Sequence, residues 1–209
     1  MDVKNMTDEE EDMEVDDEDD DIVTRRLETN DNGDCFYEAI VEAFRMDGVD
    51  IQDHCPLTSS PTFTGVKALR LSVSQAVTQE VFENFKLFNE AGLSDYSFMK
   101  RVNSMSKLKE VLAITGAEAG PKNCIWANDW EINTVTQILG ITCLIIDLDS
   151  RMESRFVKVG SSTEKFVILE KQRSHYSLYY KQQAGSRKGV QELADLTQEA
   201  KVYWKLPKH

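Results

Sequence analysis

Cysteine and histidine are scarce in this chain, at four and three among 209 residues. Cys35, Cys55, Cys124 and Cys143 form no CxxC pair and have no zinc-like spacing to His54, His175 or His209. They are also too sparse for the disulfide scaffold of a small secreted domain, so free thiols in a reducing compartment are expected. No apolar signal region opens the sequence. The longest apolar run, near Ile141 to Ile146, is far too short to cross a bilayer. No internal repeat and no cofactor motif is present. Together these absences predict a soluble, intracellular protein, cytoplasmic or nuclear, with neither cofactor nor membrane partner.

Basic charge is lacking as well. The formal net charge is −13, but residues 1–21 hold thirteen Asp or Glu and one Lys, which accounts for −12 of it. The remaining chain is nearly neutral, so nucleic-acid binding has no electrostatic support. The acidic stretch repels itself and has little to bury, which predicts a disordered tail over residues 1–21. It is either a solubilising leader or a contact for a basic partner.

What is present begins at Asn30-Asp31-Asn32-Gly33-Asp34-Cys35-Phe36-Tyr37. Phe36, Ala39, Ile40, Ala43 and Phe44 follow at helical spacing, so a helix with one core face starts here and fades near Arg45. Gly33 permits a tight turn and Asp34 is a suitable N-cap. Cys35 then sits in the first turn, where free N–H groups and the helix dipole favour a thiolate. On position alone it is equally a small core residue or a nucleophile.

Ile22 to Glu28 is read as a short lead-in strand, and Gly48 to Pro61 as a loop containing His54 and Cys55. Thr64 to Glu90 carries one long helical stripe, and Ser106 to Ile114 a second, ended by Gly116 and followed by a loop over 117–123. Asn128 or Asp129 caps a helix to Leu139, and Gly140 ends it. Ile141 to Leu148 has the texture of a strand buried on both faces. Arg155–Val159, Lys165–Glu170 and His175–Tyr180 read as further strands. In the last, His175, Ser177 and Tyr179 share one face, and Tyr176, Leu178 and Tyr180 the other. Residues 186–204 allow one more helix, with Leu193, Leu196, Ala200 and Trp204 on one side. Helices first and strands later predict an α+β fold, with the tail at 1–21, a main domain over 22–182 and a helical extension over 183–209.

A cysteine nucleophile needs a base, and histidine is the usual choice because its pKa lies near neutrality. His209 ends the chain and His54 sits among loop breakers. His175, at a strand start, is the one good partner for Cys35, either as a catalytic base or as a structural strand histidine.

With these residues in order the chain resembles the OTU (ovarian-tumour) cysteine proteases, papain-like deubiquitinating enzymes. That family carries an Asp-Gly-Asn/Asp-Cys-Leu/Phe turn, a Trp-x-x-x-x-Glu-hydrophobic helix start before a buried strand, and a late His-Tyr/Trp. The counterparts are Asn32-Gly33-Asp34-Cys35-Phe36, then Trp126 to Glu131-Ile132, then His175-Tyr176, spread over residues 28–181. The resemblance implies a papain-like OTU fold, a small mixed sheet flanked by helices. It implies that Cys35 attacks the C-terminal glycine carbonyl of ubiquitin or a ubiquitin-like modifier at an isopeptide bond, giving a thioester. His175 would be general base and acid, and N–H groups from Asn32 to Cys35 would form the oxyanion hole. Trp126 and Glu131 would be scaffold.

Two positions depart from the family. Asn32 replaces the usual Asp, and an Asn amide can still donate to an oxyanion. Ser177 stands where many members have Asp or Asn, two residues after the histidine. A hydroxyl there could orient the imidazole but not neutralise imidazolium. On this reading Ser177→Asp is expected to raise turnover. The alternative is a catalytically weak OTU-fold module that binds ubiquitin or another protein.

Overall fold

The computed structural model describes residues 22–55, 63–120 and 123–207. The expected acidic tail, the breakers Pro56 to Pro61 and His209 lie outside them. The described chain runs β1 (Val23–Leu27), α1 (Cys35–Met46), α2 (Gly65–Gln75), α3 (Gln79–Glu90), α4 (Met105–Ala113), α5 (Gly116–Ala119), α6 (Asp129–Leu139), β2 (Thr142–Asp147), β3 (Phe156–Val159), β4 (Lys165–Gln172), β5 (His175–Gln183), β6 (Ser186–Lys188), β7 (Val190–Glu192) and α7 (Gln198–Tyr203). The strands form one seven-stranded sheet in the order β1-β5-β4-β2-β3, with β6 on β5 and β7 on β4. β2 and β4 are parallel and every other pair is antiparallel. This is the expected α+β architecture with a mixed sheet and flanking helices.

α1 lies on one sheet face. Phe36, Ile40 and Ala43 are buried with Ile145, Val167, Leu169 and Leu178. Each such large side chain contributes roughly 1.5–3 kcal/mol by leaving water, and this core anchors the helix that begins at Cys35. A second cluster, including Phe82, Phe85, Leu108, Leu112 and Ile125, joins α3 and α4 to the chain before α6. The third covers the opposite sheet face, where Leu193, Leu196, Trp204 and Leu206 pack on Leu144 and Phe166.

Four expectations change. The stripe over Thr64 to Glu90 is two helices, because the Thr78 hydroxyl accepts the Val81 N–H and starts a new one. Gly116 opens α5 rather than closing α4. Thr115 and Glu118 form a capping box there, in a segment expected to be loop. A 3₁₀ stretch, Ser94–Arg101, and a 3₁₀ turn, Ile51–His54, appear where no helix was expected. Finally, the helical extension expected over 183–209 is not found among its described residues, 183–207. They supply β6 and β7 to the main sheet before the short α7. Leu193, Leu196, Ala200 and Trp204 do gather on one side, but by packing on the sheet rather than along one helix.

Candidate active site

Cys35 is the first residue of α1, and its thiol donates to the Ser174 carbonyl at 3.5 Å. The fold therefore brings Cys35 to the residue adjoining His175, across ~140 positions of sequence. The expected depression of its pKa is not found. Burial pushes the thiol up to about 11, outweighing the Tyr176 and Phe36 N–H groups that favour the thiolate. A first-turn position helps an anion only where the sulfur keeps some solvation, and Cys35 is 2% exposed.

His175 starts β5, the strand between β1 and β4. Its Nε2 lies 3.4 Å from Glu28 Oε2, while its Nδ1 is buried and has no hydrogen-bond partner among the described residues. No hydrogen bond joins His175 to Cys35. Ser177 shares the face of His175 as expected, yet it does not orient the imidazole. Its hydroxyl donates to Glu28 Oε2 at 2.8 Å and accepts from Arg26 Nη2 at 3.2 Å. Ser177 thus holds a carboxylate that itself faces His175. Glu28 follows directly on β1, whose Leu27 pairs with Leu178. The Ser177 hydroxyl, and after it Arg26 and His175, hold its carboxyl below the ordinary value. Arg26 spans the cluster, with contacts of 2.6 Å to Glu28 and 2.8 Å to Glu170. A carboxylate thus meets His175 from a residue about 150 positions earlier in the sequence.

The turn before Cys35 is held from within. Asn32 Oδ1 accepts the Asp34 N–H at 2.9 Å, and its amide Nδ2 donates to Glu38 at 3.3 Å. The Asn32 side chain thus helps to shape the turn and gives one of its two amide hydrogens to Glu38. Asp34 occupies the N-cap position but makes no side-chain cap. Its Oδ1 instead accepts from Arg70 Nε and its Oδ2 from the Gly116 N–H, both at 2.6 Å. The N–H groups of Asn32, Gly33 and Cys35 have no acceptor among the described residues. Gly33 has φ +93°, and a Cβ there would sit 2.8 Å from the Cys124 Cβ, so glycine is required twice over.

Glu131 lies behind the turn, fully buried, accepting from the Tyr37 hydroxyl at 2.8 Å and the Asn128 N–H at 3.1 Å. It caps α6, in keeping with a scaffold role. Burial outweighs Arg70 and these donors and pushes its carboxyl up to about 7. The folded value lies above the ordinary 4.5 of a glutamate, so its contribution is complete below pH 4.5 and fades as pH rises through about 7. In Glu131→Gln the loss of stability between pH 5 and pH 8 is expected to shrink by about 1 kcal/mol or more, read from urea midpoints at each pH.

A groove of about 620 Å³ is lined by Phe98, the Trp126 to Asp129 segment, Ser174 and Tyr176, the sequence neighbours of His175, while Cys35 and His175 themselves are not among its lining residues. His54 and Cys55 stay apart from it. The His54 ring packs edge-on against Phe44, and Cys55 is buried in the main core. None of the four cysteines forms a disulfide. Among the described residues no cluster of His, Cys, Asp and Glu has the makings of a metal site, and no helix is long and apolar enough to cross a membrane.

The sequence matches no protein-family model and no curated protein. Its structure does have counterparts. An OTU domain solved in complex with ubiquitin aligns over 87% of this chain and 81% of its own, with TM-score 0.50 and 17% identity. The OTU of Hazara virus bound to ubiquitin covers 76% and 82%, with TM-score 0.40 and 12% identity. The viral OTU domain protease of Dera Ghazi Khan virus covers 78% and 90%, with TM-score 0.40 and 12% identity. At such identity a likeness speaks to architecture only, and the first of these, with the mixed sheet and the helices around it, establishes that the chain has the fold of an OTU domain.

Proposed function

We propose that this protein is a cysteine-type deubiquitinase that hydrolyses isopeptide bonds at the C-terminus of ubiquitin or a ubiquitin-like modifier. The observation that carries the proposal is the juxtaposition of Cys35, at the N-terminus of α1, with the Ser174-His175 corner, where a carboxylate backs His175. His175 Nδ1, unpartnered and buried, takes the thiol proton, while Glu28 at Nε2 balances the imidazolium that results.

In the reaction so read, Cys35 Sγ attacks the carbonyl carbon of the terminal glycine. The oxyanion is met by free N–H groups of the turn, Cys35's own among them. Collapse breaks the C–N bond, and imidazolium returns the proton to the departing lysine amine. Water, deprotonated by His175, then opens the thioester and restores the thiol. The groove beside Ser174 and Tyr176 receives the substrate on this reading.

One observation favours the second reading, a module that binds without cleaving: the thiol bonds the Ser174 carbonyl, and no hydrogen bond joins it to His175. Such contacts often form only with substrate in place. The test is hydrolysis of a ubiquitin C-terminal fluorogenic amide. Turnover by the parent protein that disappears in Cys35→Ala is expected; no turnover alongside tight ubiquitin binding selects the non-cleaving module.

A further inference from the structure

Arg70 stands mid-way along α2, between Leu69 and Leu71, and is wholly buried. A charge so placed is retained only where it is fully paired and hydrogen-bonded. Its guanidinium is bonded on every side. Nε donates to Asp34 Oδ1 at 2.6 Å, and Nη2 donates to the Gly33 carbonyl at 2.8 Å and the Ile125 carbonyl at 2.9 Å. Nη2 also lies 3.1 Å from Cys124 Sγ, Nη1 reaches the Leu112 carbonyl at 3.4 Å, and the plane lies 4.3 Å from the Tyr37 ring centroid.

Two of these bonds fall on the peptide joining Gly33 to Asp34 and on the side chain that follows it. A glycine at φ +93° is the residue most free to let that peptide rotate. Rotation would swing the Gly33 carbonyl towards the space where the N–H groups of the turn face a developing oxyanion. Arg70 holds that carbonyl from behind, while the Asp34 N–H of the same peptide is given to Asn32 Oδ1 at 2.9 Å. Asp34 adds the second tether, since its other oxygen takes the Gly116 N–H at 2.6 Å. Gly116 in turn must be glycine, because a Cβ there would meet the Asn32 carbonyl at 2.1 Å.

Resting on the deubiquitinase reading, we infer that Arg70 is a positioning residue that locks the Gly33–Asp34 peptide and so keeps the oxyanion turn preformed. Lysine at 70 can pair with Asp34 but cannot reach the Gly33 and Ile125 carbonyls at the same time. Arg70→Lys is therefore expected to lower kcat on the ubiquitin fluorogenic amide at least 30-fold with KM changed less than threefold. Alkylation of Cys35 by iodoacetamide forms no oxyanion and should keep its rate within twofold, and ubiquitin C-terminal aldehyde, which does form one, should bind at least tenfold more weakly. Amide resonances of Gly33 and Asp34 should shift while those of β2 and β4 stay in place.

A purely structural role predicts something different: kcat, alkylation and aldehyde binding falling together with the folded fraction. That result, or an unchanged kcat, overturns the inference. Asp34→Asn is the milder second variant, expected to lower kcat about threefold to tenfold at constant alkylation rate; no change there also counts against it. An inactive parent protein refutes the deubiquitinase reading itself, and is distinguished from failure of this inference by the absence of any wild-type rate to compare.

Discussion

Replacing His175 with alanine is expected to lower kcat on a ubiquitin C-terminal amide by about 10³-fold at pH 7.5, within the usual range for a general acid–base. The size follows from the thiol. Burial holds Cys35 up at about 11, so without a base only a minute fraction is thiolate near neutrality. That fraction grows about tenfold per pH unit until the thiol titrates. The variant's residual rate should therefore climb steeply between pH 7 and pH 9.5, while the parent protein, if His175 serves as its base, should show no such climb. His175 is partly exposed at the start of β5, so its removal should leave the thermal midpoint within a few degrees. A parent and a variant with parallel pH profiles would show that His175 does not serve the thiol.

Glu28→Gln is expected to lower kcat about tenfold to a hundredfold with little change in KM, because it removes the negative charge behind the imidazolium while keeping a side chain of the same shape. The loss is smaller than for a buried carboxylate, since Glu28 is 59% exposed and water screens it. Glu28→Asp should recover part of the rate. Ser177→Ala, which loses the hydroxyl that draws Glu28 into line, should cost only about threefold. Ser177→Asp, which the sequence alone presents as a repair, is now expected to lower turnover, because it sets a second carboxylate against Glu28 in place of the 2.8 Å hydrogen bond. Since Ser177 and Arg26 keep the Glu28 carboxyl below its ordinary value, the parent protein should retain this contribution down to mildly acid pH. Steady-state kinetics of the four variants from pH 5 to pH 9 measure all of this.

These contrasts also mark what the sequence could say. Local signals read well. The helix from Cys35 shows in its apolar spacing, Gly140 ends α6 in the left-handed region, and the run from Ile141 becomes the buried β2. The family motifs around Cys35 and His175 are likewise local. Glu28 was not legible, because its meeting with His175 depends on β1 pairing antiparallel with β5 from the opposite end of the domain, and nothing near Glu28 specifies that register. Arg70 left a faint trace, as a charge set between two leucines in an apolar stripe; only the fold shows that it meets Gly33 and Asp34. The expected low thiol pKa failed for a related reason. Helix position is readable in sequence, whereas the burial that overrides it comes from β5 packing over α1.

The most direct test is mass spectrometry of the intact protein after reaction with ubiquitin bearing a C-terminal electrophile. One added ubiquitin is expected, carried on Cys35, absent from Cys35→Ala and much slower to form in His175→Ala. No adduct with the parent protein, or an adduct that persists in Cys35→Ala, would contradict the deubiquitinase reading.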